Sequence, residues 1–102
     1  MEHINKVSSK ELIRIMENDN KPVVIDVRES EEVANGVIEG AKHIPLQSIP
    51  DVIEELDKSK HYVLVCRSGA RSMKAASFLD EHGYKVSNLA GGMLEWEGEV
   101  IA

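Results

Sequence analysis

Apolar residues along this chain fall into two alternating patterns: short continuous runs bounded by polar or glycine residues, and stripes spaced three and four apart. Val23-Val24-Ile25-Asp26-Val27 and Tyr62-Val63-Leu64-Val65 are runs of the first kind. Both are dominated by β-branched or aromatic residues and predict strands buried on both faces. Residues 85–89 read as a further strand, with weaker ones at 3–7, on an edge, and at 41–44 ahead of Pro45. Between them lie helical patterns. Ser8 and Glu11 have capping-box spacing, and Leu12, Ile13 and Met16 then supply an apolar face. Residues 29–35 predict one or two helical turns stopped by Gly36, and Pro50 suits the first turn of a helix through Val52, Ile53 and Leu56. Residues 72–82 predict a longer helix, with Ala75, Ala76 and Leu79 on one face and Gly83 as its stop. Gly91-Gly92 breaks the chain, and 93–96 predict a last helical turn. Strands separated by helices pair in parallel through right-handed crossovers, so the expected class is an α/β sandwich.

At 102 residues the chain has room for one core, and no repeat, linker or low-complexity stretch divides it, so one domain over 1–102 is expected. A hydrophobic fraction of 42% is enough to fold without a metal or disulfide. Twelve Lys and Arg stand against 18 Asp and Glu, a formal net charge of -6. That balance argues against nucleic acid or an anionic membrane surface as the main partner, since both call for a basic field. The single cysteine forbids an internal disulfide and fits a reducing compartment. No apolar run approaches a membrane span and residues 1–6 lack an apolar signal core, so a cytoplasmic protein is expected, with a monomer as the default.

The informative feature is where that cysteine falls. Cys66 follows an apolar strand directly and opens Cys66-Arg67-Ser68-Gly69-Ala70-Arg71, a tight loop leading into a helix. In an open parallel sheet, ligands bind at the carboxyl edge of the strands. Loop amides converging there, with a helix N-terminus behind them, favour a thiolate over a thiol. Arg67 and Arg71 add two cations. An ionised, accessible and nucleophilic sulfur is expected. A lone cysteine ending a strand is commonly a small buried hydrophobe. That alternative has no use for a loop with two arginines and a glycine.

The loop resembles the active-site loop of the rhodanese-like domain family. Ile25-Asp26-Val27-Arg28-Glu29 resembles the family's opening strand motif. Residues 36–45, from Gly36-Val37-Ile38 through Gly40 to His43-Ile44-Pro45, resemble its glycine-rich segment. Gly91-Gly92-Met93-Leu94-Glu95-Trp96 resembles its closing motif. The four follow in the family's order. The resemblance implies a three-layer α/β/α sandwich with a five-stranded parallel sheet, and a sulfurtransferase of the thiosulfate type. Cys66 would attack a sulfane sulfur donor, carry the sulfur as a persulfide and yield it to cyanide or a thiol. Arg67, Ser68, Gly69, Ala70 and Arg71 would bind the small anionic donor. Arg71 has a second possible role, bracing the loop against a carboxylate. No cofactor is implied. Val37 and His43 depart from the family's usual His and Asn, changes expected to alter local hydrogen bonding only.

Two other readings stay open. One is a sulfur-carrier or redox-sensing module that serves a protein acceptor. The other is a phosphatase or arsenate reductase of similar architecture. Those enzymes set a longer stretch between cysteine and arginine, wide enough for a tetrahedral oxyanion. Here only four residues, Arg67 to Ala70, separate Cys66 from Arg71. Asp26 and Arg28 are support candidates, expected to fix neighbouring loops. Trp96 and Met73 are expected to pack in the core. His3, His43, His61 and His82 are too scattered for a metal site. Glu31-Glu32 and Glu54-Glu55 are expected to be solvated helix faces.

Overall fold

A computed structural model of the chain describes residues 4–102. Asn5–Val7 forms β1, Ser9–Ile15 α1, Val23–Asp26 β2, Ser30–Val33 α2, Val37–Ile38 β3 and Lys42–His43 β4. Ile49–Val52 forms α3, His61–Val65 β5, Ala70–Glu81 α4, Lys85–Leu89 β6 and Val100–Ile101 β7. Single 3₁₀ turns occupy Leu46–Ser48, Ile53–Glu55 and Gly92–Glu95. β1, β6, β5, β2 and β4 hydrogen-bond in that order, every pair parallel, into the five-stranded sheet. His3 of the expected first strand lies outside the described residues.

The two faces of the sheet separate by the period-2 alternation of strand side chains. Ile25, Tyr62, Leu64, Cys66 and Val86 pack with Ile49, Ala75, Ala76 and Leu79, which places α3 and α4 on one side. Val24, Val63, Val65 and Leu89 pack with Leu12, Ile38, Met93 and Trp96, which places α1 and the closing turn on the other. Helices therefore cover both faces. Burial of one such aliphatic side chain contributes about 1.5–3 kcal/mol. Tyr62, Val63, Leu64 and Val65 are each at most 3% exposed, so β5 is the axis of the core.

α1 begins as expected: the Glu11 amide donates to Ser8 Oγ at 3.1 Å and the Ser8 amide to Glu11 Oε1 at 2.9 Å. Several expectations need correction. The helix over 72–82 starts two residues earlier, because Gly69 supplies a left-handed cap (φ 111°) directly ahead of Ala70. The helix through Val52 and Leu56 breaks into α3 and a 3₁₀ turn. The strand at 41–44 shrinks to two residues. β3 and β7 form a separate antiparallel pair that no alternation announced, with Val37 opposite Ile101 and Ile38 opposite Val100.

Asp26 and Arg28 form a buried ion pair at the end of β2. Arg28 Nε donates to Asp26 Oδ1 at 3.0 Å and Arg28 Nη2 to Oδ2 at 2.8 Å, with the side chains 8% and 1% exposed. Arg28 Nη2 also donates to the Gly36 carbonyl at 2.8 Å, and His43 Nε2 lies 2.7 Å from the Arg28 carbonyl. The pair thus ties the sheet to the glycine-rich segment through Gly36. Removing one partner of a buried pair leaves the other charge unpaired. Asp26→Ala is expected to lower the unfolding free energy by about 3–5 kcal/mol, read from urea denaturation. A loss within the range of an ordinary surface substitution would show that the pair does not hold this segment.

Candidate active site

Cys66 leaves β5 at the carboxyl edge of the sheet, and α4 begins four residues later. The loop between them is fixed from behind. The Met93 amide donates to the Cys66 carbonyl at 2.9 Å and the Leu94 amide to the Arg67 carbonyl at 3.0 Å. The Arg67 carbonyl shares its peptide group with the Ser68 amide, which therefore points the opposite way, toward the sulfur. The Gly69 N–H donates to Cys66 Sγ at 3.0 Å. Gly92 makes the close approach possible. A Cβ added there would fall 2.5 Å from both the Cys66 and the Arg67 carbonyl oxygens, and its φ of 57° is left-handed.

Burial alone pushes the Cys66 thiol up. The Ser72 hydroxyl and amide, with the Gly69 and Ser68 amides, outweigh that effect and hold it below the ordinary thiol value. An anionic sulfur therefore fits this loop. Its accessibility does not match the expectation: Cys66 is 1% exposed, because the loop, α4 and the closing turn wrap around it. Arg67 and Ser68 are exposed on the rim and Ala70 is exposed at the start of α4.

Arg71 is already engaged. Its Nη1 donates to Glu32 Oε1 at 2.7 Å and Nη2 to Oε2 at 2.8 Å, a forked pair about one-third exposed. The expectation that Glu31-Glu32 is merely a solvated face is thus wrong for Glu32, while Glu31, Glu54 and Glu55 are exposed. Arg71, helped by the Glu29 amide, lowers the Glu32 carboxyl to about 2. Asp26 and Arg28 have their hydrogen bonds with each other, with Gly36 and with His43, and none with the sulfur. Met73 and Trp96 pack against the core as expected.

Two residues beside the sulfur escaped the sequence reading. Ser72 is fully buried and Asn88, in β6, is 4% exposed. Ser72 Oγ lies 3.3 Å from Cys66 Sγ and 2.5 Å from Asn88 Oδ1. Asn88 Nδ2 donates to the Gly69 carbonyl at 3.2 Å. The available signal was an asparagine inside a strand pattern, since a buried polar side chain requires a partner. Among the described residues, no three His, Cys, Asp or Glu side chains gather as metal ligands, and no helix is long and apolar enough to cross a membrane.

A parallel α/β sheet that delivers one cysteine into a cradle of loop amides defines a class of thiol-dependent α/β proteins. Within that class, residues 8–99 match the rhodanese-like domain model, and the chain belongs to that family. Bacillus subtilis YtwF is 50% identical over 96 residues, covering 94% of this chain and 93% of its own. A protein of Allochromatium vinosum named sulfurtransferase is 35% identical over 94 residues, covering 91% and 88%. The crystal structure of a rhodanese-like domain protein from Staphylococcus aureus superposes with a TM-score of 0.88 at 34% identity, covering 94% of both chains.

Two outcomes test the site's supports. Gly92→Ala is expected to displace the closing turn, lowering the melting temperature and weakening thiolate absorbance at neutral pH together; an unchanged pair of readings would refute the packing argument. The Arg71–Glu32 pair stabilises the fold only while Glu32 is ionised. Because the folded carboxyl is depressed from its ordinary value of 4.5 to about 2, that contribution is present above about pH 4.5 and fades as pH falls through 2. Partly exposed pairs are worth about 0–1 kcal/mol. Glu32→Gln is expected to cost about that much at pH 7 and clearly less near pH 2, measured by denaturation at both.

Proposed function

We propose that this chain is a rhodanese-type sulfurtransferase in which Cys66 carries the sulfur. The observation that carries the reading is the Gly69 N–H donated to Cys66 Sγ from a loop whose neighbouring carbonyls are turned away. In this reading the Cys66 thiolate attacks the outer sulfur of thiosulfate. The S–S bond of the donor breaks, sulfite leaves with the electron pair, and Cys66–S–S⁻ remains. Cyanide or a thiolate then attacks the terminal sulfur, forming thiocyanate or a new persulfide and restoring the Cys66 thiolate. No net proton is required when both nucleophiles are anionic, so no general base is needed beside the cysteine.

Each step keeps negative charge at the cradle. Amides already aimed at that position stabilise it without reorganising. Arg67 is the rim cation proposed to hold the anionic donor, with Ser68 beside it. Arg71 is proposed as a brace, since Glu32 occupies both arms of its fork. The loop amides of Ser68 and Gly69, with Ala70 completing the turn into α4, supply the donor pocket. The chain's single sulfur site requires no cofactor in this mechanism. We place the reaction in the cytoplasm, because a persulfide depends on a thiol that stays reduced.

The test is thiocyanate formation from thiosulfate and cyanide by the purified protein. Wild type is expected to turn over, Cys66→Ala to fall to background, and Arg67→Ala to raise the KM for thiosulfate about ten-fold, as for loss of one charge-assisted contact. Equal turnover by Cys66→Ala would sink the reading. Stoichiometric persulfidation without turnover would favour a carrier for a protein acceptor instead. Cys66-dependent hydrolysis of an aryl phosphate would favour a phosphatase.

A further inference from the structure

The Ser72 hydroxyl has one hydrogen and three acceptors within reach: Asn88 Oδ1 at 2.5 Å, the Gly69 carbonyl at 3.2 Å and Cys66 Sγ at 3.3 Å. The Gly69 carbonyl already accepts from the Met73 amide and from Asn88 Nδ2, both at 3.2 Å, which uses its two lone pairs. That same contact fixes the Asn88 amide. Its nitrogen must face a carbonyl that can only accept, so its oxygen faces Ser72. The hydroxyl hydrogen is left with two destinations, the amide oxygen and the sulfur. All three side chains are buried, so water does not offer a third.

We propose that Ser72 and Asn88 are positioning residues that form a one-hydrogen switch on Cys66, an inference that rests on Cys66 being the reactive sulfur. When the sulfur is a neutral thiol, the Ser72 hydrogen sits on Asn88 Oδ1, the nearer acceptor. When the sulfur is a thiolate, the hydrogen turns to Sγ, where a charged acceptor makes the stronger bond. Asn88 then gives up a hydrogen bond while buried, and this loss opposes ionisation. Asn88 therefore limits how far Ser72 lowers the thiol's affinity for its proton. Once a second sulfur is attached, the charge moves outward and the hydrogen returns to Asn88. Only the O–H bond rotates, and no proton leaves Ser72.

Pairwise geometry makes the two residues act in opposite directions, which a purely structural role would not do. The readout is thiolate absorbance against pH in the full chain, with Cys66→Ala as the baseline; the single cysteine makes the signal unambiguous. At the wild-type midpoint, Ser72→Ala is expected to lower the thiolate-to-thiol ratio about ten-fold, the loss of one hydrogen bond to an anion. Ser72→Thr is expected to restore it. Asn88→Leu is expected to raise the ratio about three-fold, because the hydroxyl loses its nearest acceptor, while the Gly69 carbonyl, freed of Asn88 Nδ2, still takes part of the hydrogen and keeps the gain below ten-fold. The double variant is expected to behave as Ser72→Ala. Should Asn88→Leu fail to fold, Asn88→Ala carries the same expectation. A wild-type ratio in Ser72→Ala, or a fall in the Asn88 variants like that in Ser72→Ala, overturns the switch. Thiol titration needs no sulfur donor, so a failed thiocyanate assay beside the expected titrations would reject the transferase reading and leave the switch standing.

Discussion

A peptide group beside Cys66 can present the sulfur with an N–H or with a C=O, and only the N–H stabilises an anion. The closing turn makes that choice. By taking the Cys66 and Arg67 carbonyls on the Met93 and Leu94 amides, it turns the Ser68 amide, which shares a peptide group with the Arg67 carbonyl, toward the sulfur beside the Gly69 N–H. Two segments far apart in sequence thus build one electrostatic feature. The contact is close enough to exclude any side chain at residue 92. The main groups that hold the Cys66 thiol below its ordinary value are the Ser72 hydroxyl and backbone amides, with no charged side chain among them.

Around that centre the cations are divided by depth. Arg28 is consumed by Asp26 inside the protein, where the pair fastens β2 to the glycine-rich segment. Arg71 is consumed by Glu32 nearer the surface, where the pair fastens the first turn of α4 to α2. Arg67 stands exposed on the rim. In a chain of net charge -6, the exposed Arg67 sets a positive charge beside the cradle of amides.

Much of this was legible in one dimension. Runs rich in β-branched residues at 23–27, interrupted only by Asp26, and at 62–65 marked the central strands, because a strand covered on both faces shows no alternating polar side. The Ser8–Glu11 capping box and the glycine after α4 marked helix ends by local hydrogen bonding and backbone freedom. Cys66 stood out because strand, loop and helix all met at it. The β3–β7 pair was not legible: two-residue strands are too short to show a period, and their stability comes from each other. Nor was the Arg71–Glu32 pair, whose members lie 39 residues apart.

What the sequence determined by itself is therefore local: which segments are strand or helix, where the chain turns, and which sulfur lies at the loop. Each follows from propensity, periodicity or spacing within a few residues. Tertiary structure alone decided which way the loop peptides face, which arginine is occupied, that the sulfur is buried, and that Ser72 and Asn88 meet beside it. Those are matters of distance between groups from different elements. No single segment carries that information, because hydrogen bonds and ion pairs act through space.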